Sequence, residues 1–484
     1  MLMLPEIVVI VTAFAVLMLD LFLTEKQRVV LAPLAGAGLL VALILAVKLL
    51  FPEPATGTML GGRFALDPVA CWFKVLFLLA GFVTVILSRD LLDGRVGRRM
   101  RGIGFRGEYY TVMLFTIVGM MYLISARDII TLYVSLELAT IPLFVLTAWR
   151  REDPQATEAG MKYVILGALA SAFVLYGLGI LYGLTGQTDL TLMSKMLATN
   201  LQPAFWLAAA MLLAGVGFKL TLVPFHMWAA DVYQGAPAPV TAYLSVASKG
   251  AGLAFMFQLF FRLMGFALSD WSILLAFMAA ITMTLGNVVA IVQNNIKRFM
   301  AFSAISQAGY FLLGFLGPAP QGVPAMLFYM LVYVASNLAV FAAIVWYANE
   351  TGRENIDEYR GLSQTNPLIA LAMMIGLFSL AGIPPLSGFV GKFFLFSVAA
   401  KAGYNWLVAI AAVNSTISLY YYLRVVRAMY IEPPAEGEPH LGISRTLATT
   451  MGVLAACVGL MGIIPAFYET ISTQTITWLA SLGH

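Results

Sequence analysis

The sequence predicts an all-α polytopic membrane protein of about fourteen transmembrane helices. Three observations carry that prediction. Of 484 residues, 61% are hydrophobic and 11% charged, with a mean hydropathy of +0.90, whereas a soluble domain carries roughly 25% charged residues. Apolar runs of about 20 residues recur along almost the whole chain, each long enough to cross a ~30 Å hydrocarbon core. No stretch between them is long enough to fold as a soluble domain.

Taken in order, the expected spans are 4–23, 29–50, 68–88, 108–126, 129–149, 158–184, 204–230, 238–262, 271–292, 298–317, 324–349, 367–400, 404–431 and 446–467. The first has no basic residues before its apolar core, so it reads as a retained helix and not a signal peptide. An even number of crossings puts both termini on one side, and the loop cations then sort unevenly. Seventeen (Lys26, Arg28, six arginines from Arg89 to Arg106, Arg150, Arg151, Lys297, Arg298, Arg353, Arg360, Arg424, Arg427, Arg445) face six (Lys48, Arg63, Arg127, Lys195, Arg262, Lys401). The positive-inside rule assigns the larger set to the cytoplasm and both termini to the outer side. The net charge of +4 is thus an orientation signal and no pointer to nucleic acid.

Cys71 and Cys457 lie far apart in apolar runs, with no CxxC or Cys-His cluster, which argues against iron–sulfur, haem c or zinc sites. Neither a GxGxxG after a strand nor a Walker A sequence occurs. Work done by such a chain is driven by an ion gradient or by a partner.

Five lysines fall inside expected spans: Lys74, Lys162, Lys219, Lys249 and Lys392. A charge at mid-bilayer costs at least ~3 kcal/mol, so each is a functional candidate. Glu137, the one acid deep in a span, lies about 18 Å from the inner end, and Lys219 about as deep. Lys249 lies roughly 15 Å in and Lys392 about 14 Å from the outer end. Lys162 is shallower, on the cytoplasmic side, and Lys74 is close enough to an outer boundary to snorkel. One deep carboxylate cannot pair four lysines; the unpaired ones must be neutral part of the time or hydrated, as a proton carrier is.

Phe218–Pro224 resembles Phe378–Pro384 at an offset of 160 residues, in spans expected to run in opposite directions. Inverted internal similarity with prolines at mid-membrane is the pattern of transporters built on broken helices. Pro224 would break the seventh helix, and Pro384 and Pro385, with Gly382, Gly388 and Gly391, the twelfth beside Lys392. His226 is a candidate relay for proton uptake. Tyr243, Ser245 and Ser248 either line a hydrated path or bond back to their own helix. Gly167/Ser171 and Gly179/Gly183 read as close helix packing.

Several of these segments resemble subunit N of respiratory complex I, the proton-pumping NADH–quinone oxidoreductase. They are Glu158 to Phe173 around Lys162, Gly217 to Trp228, Asp231 to Val240, Lys249 in Ser-Lys-Gly, Asn295 to Arg298 with Gln307 to Tyr310, and Gly382 to Pro385 with Lys392-Phe. The resemblance covers essentially the whole chain. It implies inverted five-helix repeats, helices 4–8 and 9–13, and hence units 1–106, 107–262, 263–431 and 432–484. It implies proton translocation through Lys219, tuned by Glu137, then Lys249 and Lys392. At ~6 Å and an effective dielectric of ~20, the Glu137–Lys219 interaction is worth roughly 2.8 kcal/mol. No cofactor is expected in this chain, with NAD, FMN, iron–sulfur clusters and quinone in partner subunits. The expected partners are the other membrane subunits of the complex, the lipid bilayer and protons. The expected location is the bacterial inner membrane, with both termini periplasmic. The alternatives are a subunit of a sodium/proton antiporter and a non-transporting scaffold.

Overall fold

The computed structural model describes residues 2–93, 106–434 and 440–481. Arg95, Arg98, Arg99 and Arg101 of the expected arginine run lie outside the described residues. The first helices are α1 (Leu4–Phe22), α2 (Leu31–Lys48), α3 (Pro68–Asp93), α4 (Arg106–Ser125), α5 (Ile129–Thr147), α6 (Pro154–Thr185) and α7 (Leu190–Thr199). A two-stranded hairpin, β1 (Gly57–Met59) and β2 (Phe64–Leu66), sits between α2 and α3. Then come α8 (Pro203–Leu220), α9 (Met227–Gly235), α10 (Ala238–Tyr243), α11 (Lys249–Phe257), α12 (Leu268–Ile291), α13 (Ile296–Leu312) and α14 (Ala319–Thr351). The last are α15 (Leu362–Thr365), α16 (Pro367–Ala381), α17 (Ser387–Lys401), α18 (Asn405–Tyr430), α19 (Arg445–Ile463) and α20 (Ala466–Ser481).

Helix starts follow local chemistry. Asp128, Asp153, Asp189 and Asn295 cap α5, α6, α7 and α13 by accepting from backbone N–H groups of the first turn, which satisfies donors a helix start leaves free. Among the described residues, twelve helical stretches are long and apolar enough to cross a membrane. The expected tenth span appears as the 17-residue α13, and the expected twelfth as two 15-residue helices, α16 and α17, separated at Gly382–Leu386. The expected seventh is likewise split into α8 and α9. The amphipathic α7 and the C-terminal α20 were not expected; both are shorter than a span.

At the centre stands α14, 33 residues long and almost wholly buried. Charged residues meet in clusters at two opposite ends of the helices. Arg298 and Lys162 meet at Asp231, and Lys297 pairs with Glu354. At the opposite end Arg127 and Arg262 meet at Asp67. The two ends of the described chain lie on this second side: Gln474 of α20 donates to Leu50 O at the end of α2, and Glu6 of α1 reaches Lys74.

Two expectations are corrected. Lys74 does not snorkel: it is 1% exposed and its Nζ lies 2.7 Å from Glu6 Oε1, itself fully buried. Glu6 and Lys74 stand near the starts of α1 and α3, and a salt bridge between them replaces solvent for both. Gly179 and Gly183 do not pack closely, since a Cβ at either would meet nothing within 4 Å. At Gly167, in contrast, a Cβ would lie 2.4 Å from the Phe144 ring, so the packing reading holds there.

Candidate functional site

The first break begins where α8 ends. Thr221 takes a left-handed conformation (φ 61°), and Leu222 N donates to Gly217 O at 2.8 Å while Thr221 N donates to Phe218 O at 3.2 Å. These are the paired bonds of a Schellman stop. Residues 221–226 are non-helical, with Pro224 exposed at the break. Lys249, 1% exposed, points its ammonium at this helix end, donating to Leu220 O at 3.2 Å and Thr221 Oγ1 at 2.8 Å. The Thr221 hydroxyl donates in turn to Leu220 O at 2.5 Å. A cation at a helix C-terminus meets the negative end of the backbone dipoles. Ahead of Lys249 a π-helical turn, Leu244–Ser248, re-aims the helix.

The second break repeats the arrangement. Gly382 (φ 89°) ends α16, Ile383 N donates to Phe378 O at 3.0 Å, and Gly382 N donates to Ser379 O at 2.9 Å. Lys392, 3% exposed, donates to Leu380 O at 2.9 Å, Ala381 O at 3.0 Å and Ser415 Oγ at 3.1 Å. Ser415 Oγ donates to Ala381 O at 2.9 Å. Both sites are therefore triangles of ammonium, hydroxyl and terminal helix carbonyl. The hydroxyl comes from the break itself at one site and from α18 at the other. Pro384 and Pro385 lie exposed in the second break.

Backbone bonding corrects the sequence offset. Thr221 corresponds to Gly382 and Gly217 to Phe378, so the offset is 382 − 221 = 161, not 160. Pro224 then matches Pro385. Lys219 matches Leu380, so it has no counterpart cation in the second break.

Lys219 itself sits in the last turn of α8, 5% exposed, with its ammonium buried and without a hydrogen-bond partner. Glu137, half-buried on α5, likewise holds Oε1 buried and unpartnered. Among the described residues the two form no ion pair within 4.0 Å. Small residues bring the surrounding helices close. A Cβ on Gly119 of α4 would lie 2.4 Å from Ala139 N on α5, and one on Gly252 of α11 would lie 3.3 Å from Lys219 Cβ.

Between the two triangles lie two separate hydrogen-bonded groups of neutral residues that sequence reasoning largely missed. Ser245, one turn before Lys249, accepts at its hydroxyl from Asn337 Nδ2 at 2.9 Å, and its carbonyl accepts from the Tyr333 hydroxyl at 3.0 Å. Both donors belong to α14. One turn earlier on α14, the Tyr329 hydroxyl donates to Gln307 Oε1, and Gln307 Nε2 donates to Leu380 O at 3.1 Å, the carbonyl that Lys392 also uses. Tyr422 joins through Ser303 and Gln307. These are neutral groups, and charge counting passes over them. Of the earlier candidates, Tyr243 hydrogen-bonds the Thr116 hydroxyl at 2.6 Å, and Ser248 Oγ is buried without a partner.

At the other end, Lys162 is part-exposed and paired, its Nζ 2.7 Å from both Glu158 Oε1 and Asp231 Oδ2. The structure does not bring it to the other lysines. A polar cavity of about 160 Å³ lies beside it, sharing Gln155, Gln234 and Gly235 with a second of about 330 Å³ that reaches Lys297 and Glu354. His226 caps the start of α9, partly exposed, with Nδ1 buried and unpartnered. Between it and Lys219, Trp228 stacks on Tyr163 (4.6 Å, 9°) and donates to Phe218 O at 3.0 Å.

With this geometry established, comparison with known proteins is informative. A family profile described as NADH:quinone oxidoreductase/Mrp antiporter, TM, matches residues 126–418. The NADH-quinone oxidoreductase subunit N of Desulfovibrio desulfuricans is 42% identical, covering 95% of this chain and 94% of its own. A chain of respiratory complex I from Thermus thermophilus superposes with a TM-score of 0.80 at 32% identity, over 96% of this chain and 98% of that one. A chain of the Mrp complex from Dietzia sp. DQ12-45-1b gives a TM-score of 0.86 at 22% identity, covering 98% and 96%, a likeness of fold.

Proposed function

The chain belongs to the subunit N family of NADH-quinone oxidoreductases, and from that premise we propose how it translocates protons. It works as an antiporter-like membrane subunit, coupling electron transfer from NADH to quinone in partner subunits to proton movement across the bacterial inner membrane. The chain supplies no redox centre. NAD, FMN, iron–sulfur clusters and quinone are held by partner subunits, and the neighbours in lipid are other membrane subunits of the complex. We count α13 and the split α16–α17 as crossings, fourteen in all with the twelve longer stretches, and read 107–262 and 263–431 as inverted repeats with both termini periplasmic. The antiporter and scaffold alternatives are not favoured.

One observation carries the mechanism: two buried ammonium groups, each seated on the end of a broken helix, with two groups of neutral hydrogen-bonding side chains on and around α14 between them. A proton enters from the polar cavities near Lys162, with His226 as relay, and reaches Lys219. Glu137 holds it there while close. When the carboxylate moves away the ammonium loses a favourable charge in a medium without water, and the proton moves on to Lys249. From Lys249 it crosses past these neutral groups along a hydrated route to Lys392 and so to the outer face. The breaks at Pro224 and at Pro384 and Pro385 leave carbonyls free to hold each resident charge.

The test is proton uptake by inside-out vesicles carrying Lys219→Ala, measured beside NADH-to-quinone electron transfer. Collapse of pumping with the complex assembled is expected. Wild-type pumping would remove Lys219 from the path and return the scaffold reading. Glu137→Ala should likewise abolish translocation at near-normal assembly.

A further inference from the structure

At the end of the molecule away from Lys162, three charged side chains meet inside the fold. Asp67 is 2% exposed, and its Oδ2 accepts from Arg127 Nη2 and Arg262 Nη2, each at 2.6 Å; Arg127 and Arg262 are each 15% exposed. Asp67 Oδ1 is already engaged, accepting from Ala70 N at 2.8 Å at the start of α3. One carboxylate thus faces two guanidinium groups, leaving one positive charge in excess. Arg262 Nη1 is buried and has no hydrogen-bond partner. A desolvated guanidinium N–H without an acceptor is costly, and the cost falls if an anion supplies one.

Arg262 lines a cavity of about 220 Å³ whose other walls include Phe257, Phe261, Leu268, Ala319 and Trp478. The guanidinium lies 4.9 Å from the Phe257 ring and 5.5 Å from that of Trp478. Ala319 opens the 33-residue α14, whose N-cap, Pro318, offers no side-chain acceptor. A cation with a free donor therefore sits at the end of an otherwise aromatic and aliphatic chamber, near the end of the membrane-crossing helices.

We propose that this cavity binds one phospholipid of the adjoining leaflet, its phosphodiester accepting from Arg262 and its acyl chain lying along Phe257, Phe261 and Leu268. The surplus positive charge favours an anionic headgroup, and the apolar walls favour a molecule with a chain over a free anion.

The complex containing this subunit, purified and placed in phosphatidylcholine vesicles doped with a diazirine-bearing phosphatidylglycerol, is irradiated and its peptides mapped. Labelling is expected on the segment Phe257–Leu268 or on that carrying Trp478. Arg262→Gln should reduce it roughly tenfold, as loss of a charge-assisted bond requires. Leu268→Trp, which fills the chamber and leaves the Asp67 cluster intact, should do the same and keeps the test decisive where the arginine variant fails to assemble. Unlabelled phosphatidylglycerol should compete. Equal competition by millimolar inorganic phosphate would make the ligand a free anion, and equal competition by phosphatidylcholine would deny the charge a role. Either result, or label at wild-type strength in Leu268→Trp, overturns the proposal.

Discussion

Replacing Lys392 by methionine removes a buried charge while sparing the backbone it rests on. The ammonium donates to Leu380 O, Ala381 O and Ser415 Oγ at 2.9–3.1 Å. Bonds to a charged group contribute about 1.5–3 kcal/mol each, and a cation at a partly buried helix end up to ~2 kcal/mol. Against this stands the cost of keeping an ammonium out of water, several kcal/mol per ion. Neither carbonyl is orphaned by the change, because Leu380 O retains Gln307 Nε2 at 3.1 Å and Ala381 O retains Ser415 Oγ at 2.9 Å. The opposing contributions are of similar size, so the net change in stability is within about 2 kcal/mol. The Lys392→Met subunit should therefore be found in the assembled complex at near wild-type abundance, while protons taken up per NADH oxidised fall. The assay is dye-reported acidification of inside-out vesicles, with NADH oxidation followed in parallel. An unchanged proton-to-electron ratio would refute the assignment. A subunit missing from the complex would refute the energetic argument, because the break would then depend on the ammonium.

Three further outcomes are expected. Glu6→Gln and Lys74→Met should each lower stability by about 3–5 kcal/mol by stranding a buried charge, and the double variant should recover much of it; thermal unfolding of the four proteins closes the cycle, and additive losses would contradict the pairing. Gly119→Leu forces a side chain into Ala139 N, 2.4 Å from its Cβ, and should cost at least about 1–3 kcal/mol as α4 and α5 separate; an unmoved melting temperature would argue that the helices have room. Ser415→Ala removes one of three acceptors around Lys392, a change of about 1.5–3 kcal/mol; pumping should fall by less than in Lys392→Met, and an equal fall would shift the burden from ammonium to hydroxyl.

The lysines were legible in the sequence because an ionisable residue inside an apolar run has few bland explanations, and the breaks because prolines stood beside those lysines in a repeated pattern; proline alone would not have marked them, since Pro142 and Pro324 lie inside α5 and α14. Their atomic partners were not. The ligands of Lys249 and Lys392 are mostly main-chain carbonyls, which every residue carries and no composition reveals. The offset of 161 is set by the stop bonds at Thr221 and Gly382, whereas side-chain matching aligned Pro224 with Pro384. Glu6 escaped because it stands at a span boundary, where an acid is ordinarily wet; here it is fully buried and paired with Lys74 of α3. Tyr333, Asn337, Tyr329 and Tyr422 escaped because an uncharged hydroxyl or amide in a membrane helix is unremarked until its partner is known. The Asp189 cap of α7 was readable, but its helix is too short for a hydropathy window.

The neutrality of the hydrogen-bonded groups between Lys249 and Lys392 bears on how a transfer would be observed. Tyrosine ordinarily ionises near pH 10 and amides and serine hydroxyls not at all in this range. Among the neutral residues named above, a migrating proton finds no place to stay between its two lysine hosts. Time-resolved infrared spectroscopy of the process should then show one ammonium band losing intensity as another gains it, with no carboxylic acid band rising and decaying between them. The slow event in such a record would be the rearrangement of donors and acceptors that opens a route between the two hydrogen-bonded groups.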